Sequence, residues 1–394
     1  MNDVRHTPSP PYGELAILAL DSFLDFGSRL NNILMRRHKN NEDFDHGGTR
    51  TPESFIVPVD CVRFSNGEGK VMLPETVRGK DVFILCDPGN YSCTYTNHGF
   101  TNHMGPDEHF ADIKRTVSAI GGKSRRTSVI MPLLYAARQH KRKSRESLDC
   151  AMALQELESI GVKDILTFDV HNASVQNSIP LASFENFYPT YDIVKSLLAC
   201  QGGAVKNGSL VVISPDTGAM DRAVYYSSVL GSDVGLFYKR RDYTRIVKGS
   251  NPIIQHEYMG PNLEGKNALI VDDLISSGES VFDVCRQLRK MNVGKVFMAV
   301  TFALFTEGVD KFKEYHAHGL FDKIFSTNLT YVPDEVKQEP WYIDVDMAEF
   351  VAKLIDYYNF GRSVAPILDQ AKEMTCVVKS LDNQNPPNIN KMIV

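Results

Sequence analysis

Short apolar runs alternate with segments of helical periodicity along most of the chain, from residue 54 onward. The apolar runs predict β-strands at residues 82–86, 127–134, 164–170, 210–214, 234–238, 268–271 and 296–305. Helical periodicity between two of these runs predicts a helix at residues 147–160, which Gly161 is suited to end. Strands that alternate with helices indicate an α/β fold with mostly parallel sheets, whose ligands bind beyond the carboxyl ends of the strands.

The N-terminal segment has a pattern of its own. Apolar residues recur near helical spacing across residues 14–37, and the basic run at residues 36–39 suits the negative end of a helix dipole. We therefore predict a helix over residues 14–37, which is expected to pack on the main body or on a neighbouring subunit. The polar residues 40–53 that follow are interpreted as a linker.

Composition and charge narrow the class of protein. The chain has 394 residues, of which 43% are hydrophobic and 23% charged, as is ordinary for a globular protein of two domains. The net charge of −5 gives no reason to expect a nucleic-acid partner, and no apolar run is long enough to span a membrane. The start is polar and rich in proline, unlike a signal peptide. Because the seven cysteines lack metal-ligand spacing, we expect reduced thiols in a cytoplasmic protein.

A small-residue loop after the apolar run 268–271 has the composition of a phosphate site. The candidate residues are Asp272, Asp273, Ser276, Ser277, Gly278, Glu279 and Ser280, and helical periodicity begins directly afterwards. Backbone N–H groups at a helix N-terminus carry partial positive charge and attract anions. The two aspartates suit ribose hydroxyls or ligand-borne magnesium. The stretch therefore predicts a ribose-phosphate site, with an ordinary turn that has an acidic rim as the alternative.

Two basic clusters follow other predicted strands. Arg138 and Gln139 open a stretch with five cations in eight residues, which suits a polyphosphate chain, although most such runs are solvated faces. Lys239, Arg240 and Arg241 lead into a long polar segment, residues 242–264. We interpret that segment as a lid that carries a cation over a transferring phosphoryl group, and a plain surface loop is the alternative.

His171 and Asp216 are candidate residues of a metal site. His171 follows a predicted strand after Asp169, and a histidine there can ligate a metal while a carboxylate orients it. A hydrogen-bonded structural histidine is the alternative. Asp216 follows another strand in a Ser-Pro-Asp-Thr-Gly sequence, where it either stands beside an anion-binding nest or caps a helix.

These clusters, taken in order, resemble one family, the ribose-phosphate diphosphokinases or phosphoribosyl pyrophosphate synthetases. The resemblance covers residues 54–368 and adds a nucleotide-binding turn and a final helix with its tail. The matching stretches are Phe64-Ser65-Asn66-Gly67-Glu68, Arg138-Gln139, Asp169-Val170-His171, Ser214-Pro215-Asp216, Lys239 to Arg241, Asp272 to Ser280, and Gly361-Arg362-Ser363-Val364. The stretch after residue 271 is also similar to that of type I phosphoribosyltransferases.

The resemblance implies two tandem phosphoribosyltransferase-like α/β domains, at residues 54–200 on the ATP side and 201–345 with the ribose-5-phosphate loop. An N-terminal helical extension with its linker (1–53) and a C-terminal helix with its tail (346–394) flank them. The implied reaction transfers the β,γ-diphosphoryl group of ATP to the C1 hydroxyl of ribose 5-phosphate, with Mg²⁺, in a homo-oligomer that is a dimer or a hexamer. The alternatives are a phosphoribosyltransferase and a non-catalytic regulator.

The resemblance also implies roles for individual residues. Those for ATP are Phe64, Asn66, Glu68, Arg138 and Gln139, and those for ribose 5-phosphate are the seven loop residues named above. His171 and Asp216 would hold the metal, and Lys239 and Arg241 would act catalytically. The chain departs from the family pattern at Asn66 and His140, where aspartate is usual, and at Glu279, where a small residue is usual.

Overall fold

The computed structural model describes residues 10–40, 52–142, 144–205, 208–241 and 253–368. Residues 41–51 of the predicted linker, residues 242–252 of the predicted lid, and the tail from residue 369 therefore lie outside the described residues. The chain divides into two compact units. Among the described residues, unit one comprises residues 10–188, Leu329–Tyr331 and Asp346–Leu368, and unit two comprises Pro189–Asn328 and Val332–Val345.

Unit one contains one five-stranded sheet and two separate hairpins. Its strands are β1 (Leu15–Ala19), β2 (Asp60–Arg63), β3 (Gly69–Met72), β4 (Asp81–Leu85), β5 (Thr94–Asn97), β6 (Phe100–His103), β7 (Arg126–Ile130), β8 (Asp164–Phe168) and β9 (Ser183–Phe187). Its helices are α1 (Leu24–Asn40), α2 (Pro106–Ile120), α3 (Asp149–Ser159), α9 (Ala348–Asn359) and α10 (Ala365–Leu368). The sheet has the order β1-β4-β7-β8-β9 with all pairs parallel, and β2–β3 and β5–β6 form the hairpins.

The predicted helix over residues 14–37 was wrong in its first part. Leu15–Ala19 forms strand β1, which pairs in parallel with β4, and all five of its residues are buried. Its continuous apolar sequence fits a strand that is covered on both faces, and such a run cannot be told from a buried helix by periodicity. Helix α1 begins only at Leu24.

Helix α1 packs on α9 within unit one through a set of ion pairs. The Arg37 Nε lies 2.6 Å from an Asp356 carboxylate oxygen, and the His38 Nε2 lies 2.8 Å from the other. Both His38 and Asp356 are buried. Because a buried charge is costly unless it is paired, this contact fixes how the N-terminal helix docks on the unit.

A second buried carboxylate, Asp81 at the start of β4, ties the end of α9 to the sheet. The Arg126 guanidinium donates to both of its oxygens, at 2.8 and 2.6 Å. The Asn359 amide donates to the same carboxylate at 2.9 Å and to the Gly13 carbonyl at 2.9 Å. Residues that are distant in the sequence thus close unit one around its sheet.

Unit two is built on a seven-stranded sheet. Its elements are α4 (Thr190–Val205), β10 (Leu210–Ser214), α5 (Met220–Leu230), β11 (Asp233–Arg241), β12 (Ile253–Met259), β13 (Asn267–Ile275), α6 (Glu279–Lys290), β14 (Val296–Ala303), α7 (Asp310–Ala317), β15 (Lys323–Thr327), α8 (Asp334–Lys337) and β16 (Tyr342–Val345). The strand order is β12-β11-β10-β13-β14-β15-β16, and only the edge pair β11–β12 is antiparallel. Strand β14 is buried along its whole length, as expected of a central parallel strand.

The α/β class and all seven predicted strands are confirmed, as is the helix before Gly161. Unit one also includes β1 and α1 from the expected N-terminal extension, and α9 from the expected C-terminal segment. These parts therefore belong to the same compact unit as the five-stranded sheet. The functional domain boundaries stay a prediction.

Among the described residues, no helix has the length and apolar character needed to cross a membrane. The cysteines described there are free thiols.

Candidate active site

The turn between β2 and β3 presents an aromatic ring on a well-bonded backbone. The Phe64 amide donates to the Glu68 carbonyl at 2.8 Å, and the Asn66 side-chain oxygen accepts from the Glu68 amide at 3.1 Å. Gly67 has φ 90°, which glycine adopts without strain. Phe64 remains 49% exposed, and Glu68 is exposed beside it. The turn therefore offers an apolar face and a carboxylate together.

A buried ion-pair cluster holds this hairpin against α2. The Asp112 carboxylate accepts from Arg63 at 2.5 Å and from Arg115 at 2.8 Å. Gly69 leaves the space that the two guanidiniums occupy, since a Cβ there would lie 2.5 Å from Arg115 Nη1 and 2.8 Å from Arg63 Nη1. The position of the Phe64 turn thus depends on a glycine and three charges.

A second hairpin, β5–β6, lies next to the same turn and was not predicted. Its turn residues His98 and Gly99 have φ 50° and 79°, a pattern that matches the right-handed twist of the strands. A Cβ on Gly67 would lie 3.0 Å from the Asn97 side-chain nitrogen, so the two hairpins touch. Phe100 is 73% exposed. The Asn-His-Gly sequence between polar, aromatic-containing runs was the signal that could have revealed it.

Arg138 and Gln139 follow β7 through a tight turn. Strand β7 ends at Ile130, so residues 131–134 of the predicted strand are instead part of the turn. The Gln139 amide donates to the Ala136 carbonyl at 2.8 Å, and Ala136 has φ 56°. Both Arg138 and Gln139 are exposed. This arrangement leaves a guanidinium and an amide facing solvent beyond the carboxyl edge of the sheet.

His171 lies just beyond β8, beside a second histidine. The ring centroids of His140 and His171 are 5.3 Å apart, and the rings are inclined by 59°. Burial lowers the pKa of the His140 imidazole, and the nearby His171 and Lys141 lower it further. Asp169 is buried and has φ 42°, a strained conformation for a residue other than glycine. The described residues contain no group of three or more His, Cys, Asp or Glu arranged to hold a metal.

The loop after β4 buries a carboxylate at the same edge of the sheet in unit one. The Asp87 oxygens accept from the amides of Gly89 at 2.9 Å and Tyr331 at 2.7 Å, and from the Thr330 hydroxyl at 3.1 Å. Burial raises the pKa of Asp87 to about 7, although these hydrogen bonds oppose the shift. No local sequence signal distinguishes Asp87 from a surface turn residue.

In unit two, Asp216 caps the short helix Thr217–Ala219. Its Oδ1 accepts from the amides of Gly218 at 2.8 Å and Ala219 at 3.3 Å. Capping was one of the two interpretations of the sequence, and this one is confirmed. A metal role for Asp216 stays a prediction, as does the pairing with His171, which belongs to unit one.

The predicted ribose-phosphate loop joins β13 to α6 around one glycine. Gly278 has φ 87°, and a Cβ there would lie 2.6 Å from the Phe312 ring and 2.7 Å from the Phe282 ring. The Ser276 carbonyl accepts from the Thr306 amide at 3.1 Å, and the two hydroxyls are also 3.1 Å apart. The buried rings of Phe282 and Phe312, together with the loop that contains Thr306, therefore shape the turn before the N-terminus of α6.

Glu279, the acidic departure in this loop, is an ion-pair partner of Lys311. The Lys311 Nζ lies 2.8 Å from the Glu279 carboxylate and 3.1 Å from that of Glu307. The hydrogen bond from Lys311 lowers the pKa of Glu279. The charge of Glu279 is thus compensated locally. Sequence reasoning missed Lys311 because the two residues lie on different helices.

The two aspartates lie within strand β13, which corrects the expected loop position. Asp272 pairs with Val300 of β14, and pairing continues to Ile275. Successive side chains of a strand point to opposite faces, and here Asp273 is buried while Asp272 is partly exposed. Burial and the neighbouring Asp273 raise the pKa of Asp272, and Arg222, 3.7 Å away, opposes the rise.

Comparison with known proteins assigns the family. The chain matches a family model described as the N-terminal domain of ribose phosphate pyrophosphokinase over residues 38–161. It matches a phosphoribosyl transferase domain model over residues 185–330, and together the two cover more than half of the chain. The chain belongs to the ribose-phosphate pyrophosphokinase family. This confirms the resemblance inferred from the motifs.

Individual members of the family are similar to the chain at a moderate level. The ribose-phosphate pyrophosphokinase of Synechococcus elongatus is 27% identical over 284 residues, covering 71% of this chain and 76% of that protein. The one from Mycoplasmopsis pulmonis is 26% identical over 309 residues, covering 77% and 86%. The crystal structure of phosphoribosylpyrophosphate synthetase from Mycobacterium smegmatis has a TM-score of 0.67 at 20% identity, covering 87% of this chain and 98% of that one. The tandem phosphoribosyltransferase-like fold is thereby confirmed.

The proposed catalytic cations of this pyrophosphokinase family member lie near the end of β11. Lys239 pairs with His256 and Arg241 with Ile253 of β12, and a bulge separates Arg240 from Arg241. The two strands therefore form an antiparallel ribbon at the edge of the sheet in unit two. Residues 253–259 of the segment predicted as a lid form strand β12 and not a loop, which corrects that part of the prediction. The side chains of residues 239–241, and residues 242–252, lie outside the described part, so a lid formed by the remainder stays a prediction.

Proposed function

We propose that the chain is a ribose-phosphate diphosphokinase that forms phosphoribosyl diphosphate and AMP from ATP and ribose 5-phosphate. The observation that carries the proposal is the loop between β13 and α6 in unit two. There the carboxylates of Asp272 and Asp273 are followed closely by the N-terminus of a helix. It is supported by the family model over residues 38–161, which a simple phosphoribosyltransferase would not need.

Ribose 5-phosphate binds at the start of α6. The N–H groups at that N-terminus and the hydroxyls of Ser276, Ser277 and Ser280 bind its 5-phosphate. Asp272 and Asp273 accept hydrogen bonds from ribose hydroxyls. Neutral hydroxyl donors suit Asp272 in particular, because its environment already disfavours a full negative charge.

ATP binds to elements of unit one. Adenine stacks on the exposed ring of Phe64, and Glu68 accepts from its amino group. Asn66 bonds the turn through its side-chain oxygen, as an aspartate would, so this departure preserves the turn while removing a charge. Arg138 and Gln139 bind the phosphates. In the related enzymes that the sequence resembles, the adenine turn comes from a neighbouring subunit, so we expect a homo-oligomer, either a dimer or a hexamer. We also expect the protein to be located in the cytoplasm.

The reaction depends on positioning and on charge neutralisation. The C1 hydroxyl of the sugar attacks the β-phosphorus of ATP in line with the departing AMP, and such transfers need little covalent chemistry from the protein. Lys239 and Arg241 approach the transferring group as the lid closes and stabilise the charge that develops there.

Mg²⁺ enters the proposal as the partner of the ATP phosphates, whose charge it neutralises when it is bound. His171 and Asp216 are the candidate protein ligands. One group beside His171 is the imidazole of His140, whose nitrogen donors suit this ion less well than oxygen does. No step is therefore assigned to a magnesium ion held by His171.

The test is to incubate the purified chain with Mg²⁺, ATP and ribose 5-phosphate and to separate the products by chromatography. We expect AMP and phosphoribosyl diphosphate in equal amounts, and neither product without the sugar. A phosphoribosyltransferase would instead consume phosphoribosyl diphosphate when a base is supplied. A regulator would bind ribose 5-phosphate or phosphoribosyl diphosphate saturably and release no AMP.

A further inference from the structure

The turn after β7 contains a residue in a backbone conformation that glycine adopts far more readily. Ala136 has φ 56°, and it lies between the buried Leu134 and the exposed Arg138 and Gln139. An L-residue with this φ is strained by its own Cβ, and it keeps the conformation only where the surrounding structure fixes the backbone. The contacts on either side of Ala136 therefore decide how the turn is held.

After Ala136 the turn is closed by its own backbone. The Ala137 amide donates to the Leu134 carbonyl at 3.3 Å, and the Gln139 amide donates to the Ala136 carbonyl at 2.8 Å. These bonds close the turn on itself, and they do not attach it to a neighbouring element of the unit.

Tyr135, directly before Ala136, attaches the turn to helix α2 in two ways. Its ring is stacked on that of Phe110, with centroids 4.4 Å apart and planes inclined by 8°. Phe110 is buried in the core of unit one. The Tyr135 hydroxyl donates to a carboxylate oxygen of Asp107, in the first turn of α2, at 2.8 Å. A stacked ring and a charge-assisted hydrogen bond together fix both the position and the rotation of Tyr135.

We propose that Tyr135 is a positioning residue for ATP, which holds the strained turn on α2 and so orients Arg138 and Gln139 before the nucleotide binds. The inference rests on the proposed function, in which Arg138 and Gln139 bind the ATP phosphates. A guanidinium binds phosphate best in a defined planar orientation, and a turn that is fixed in advance loses less conformational entropy on binding. Tyr135 acts through these two residues and does not contact the nucleotide.

The experiment measures the Kd of the full chain for ATP with Mg²⁺, and separately for ribose 5-phosphate, by titration calorimetry. Tyr135→Phe keeps the stacked ring and removes the hydrogen bond, so we expect the affinity for ATP to fall about two- to tenfold. Tyr135→Ala also removes the ring and should weaken ATP binding further, and neither variant should change the affinity for ribose 5-phosphate. Tyr358→Phe, whose hydroxyl is hydrogen-bonded to Ser183 in the same unit, is the matched control and should leave both affinities unchanged.

Variants of two neighbouring residues separate positioning from a loss of structure. Asp107→Asn keeps an acceptor oxygen and should retain most of the affinity for ATP. Asp107→Ala should lose about as much as Tyr135→Phe, and the two losses should not add, because both remove the same hydrogen bond. Ala136→Gly relieves the strain and frees the turn, so the affinity for ATP should fall severalfold while the free energy of unfolding in urea does not decrease.

Equal affinity for ATP in wild type, Tyr135→Phe and Tyr135→Ala would overturn the proposal, as would an equal loss of affinity for ribose 5-phosphate. Circular dichroism establishes that each variant is folded, and if Tyr135→Ala is not, Tyr135→Phe and Asp107→Asn decide. Absence of sugar-dependent AMP would count against the proposed function alone, because these titrations detect ATP binding without turnover. A wild-type chain that does not bind ATP would overturn both.

Discussion

The Lys311 ammonium lies 2.8 Å from the Glu279 carboxylate, at the first residue of α6. Because Lys311 offsets its negative charge, an acidic residue can occupy this position in a loop that is proposed to bind phosphate. The acid also favours the positive end of the helix dipole, so it has a structural reason to be there. The proposed binding of an anion by the loop therefore depends on Lys311, a residue that lies outside the loop.

Removing Lys311 should weaken the binding of ribose 5-phosphate. Lys311→Ala removes the hydrogen-bonded cation of Glu279 and leaves its charge only partly offset by Arg286, beside the proposed 5-phosphate position. We therefore expect the KM for ribose 5-phosphate to rise severalfold while kcat changes little. The measurement is steady-state kinetics at low and moderate salt, because screening should shrink the effect. Lys313→Ala on the same helix, whose partner Glu339 is 3.4 Å away, is the control. An unchanged KM at low salt would contradict the role of the pair.

Gly278→Ala should damage the phosphate loop more than a positive φ alone explains. The substitution adds backbone strain of about 1–2 kcal/mol and also forces a methyl group into the rings of Phe282 and Phe312. We expect a lower free energy of unfolding in urea and a large increase in the KM for ribose 5-phosphate. Gly265→Ala, with φ 73° and nothing within 4 Å, isolates the strain component. Equal losses in the two variants would rule out the ring contact as the cause.

Gly69→Ala should weaken the binding of ATP and leave the binding of ribose 5-phosphate unchanged. The new methyl group displaces the guanidiniums of Arg63 and Arg115 from Asp112 and so shifts the hairpin that carries Phe64. We expect the KM for ATP to rise while the KM for ribose 5-phosphate stays near the wild-type value. Gly203→Ala, where a methyl group meets open space, is the control. A selective rise in the KM for ribose 5-phosphate would argue against a nucleotide role of this hairpin.

The buried Asp87 should make the stability of the protein depend on pH. Its pKa of about 7 lies above the unfolded value of 3.8, so the folded state binds the proton more tightly. The stabilisation is complete below the unfolded pKa and is lost as the pH rises towards 7, by up to about 1.4 kcal/mol per pH unit. Asp87→Asn should remove this slope from the free energy of unfolding, measured from pH 4 to 8. Parallel pH profiles for the two proteins would contradict the assignment.

The sequence predicted the buried strands and the order of the site motifs because both are local signals. The sequence could not distinguish strand β1 from the start of helix α1, because all five residues of Leu15–Ala19 are apolar and show neither the strand nor the helix period. Strand β13 runs past Asp272 only because β14 offers a partner as far as Ala303. The return of residues 329–331 to Asp87 and the pairing of Glu279 with Lys311 are long-range contacts that no local pattern encodes.

The proposed lid gives a kinetic expectation. Lys239→Ala and Arg241→Ala should each keep ATP binding, measured by titration calorimetry, and lose most of the turnover, because a cation at the transition state typically contributes about 3–4 kcal/mol. Lys266→Ala, whose partner Asp233 is 3.4 Å away on the surface of unit two, is the control. Wild-type turnover in both lid variants would exclude a catalytic role for these cations.

The most direct test of the central claim is ³¹P NMR of the full chain with Mg²⁺, ATP and ribose 5-phosphate. We expect the β and γ resonances of ATP to decline together as those of AMP and of a sugar-linked diphosphate grow in equal amounts. No change should occur when ribose 5-phosphate is omitted. Release of inorganic phosphate with ADP, or no sugar-dependent change, would contradict the assignment of diphosphoryl transfer to this chain.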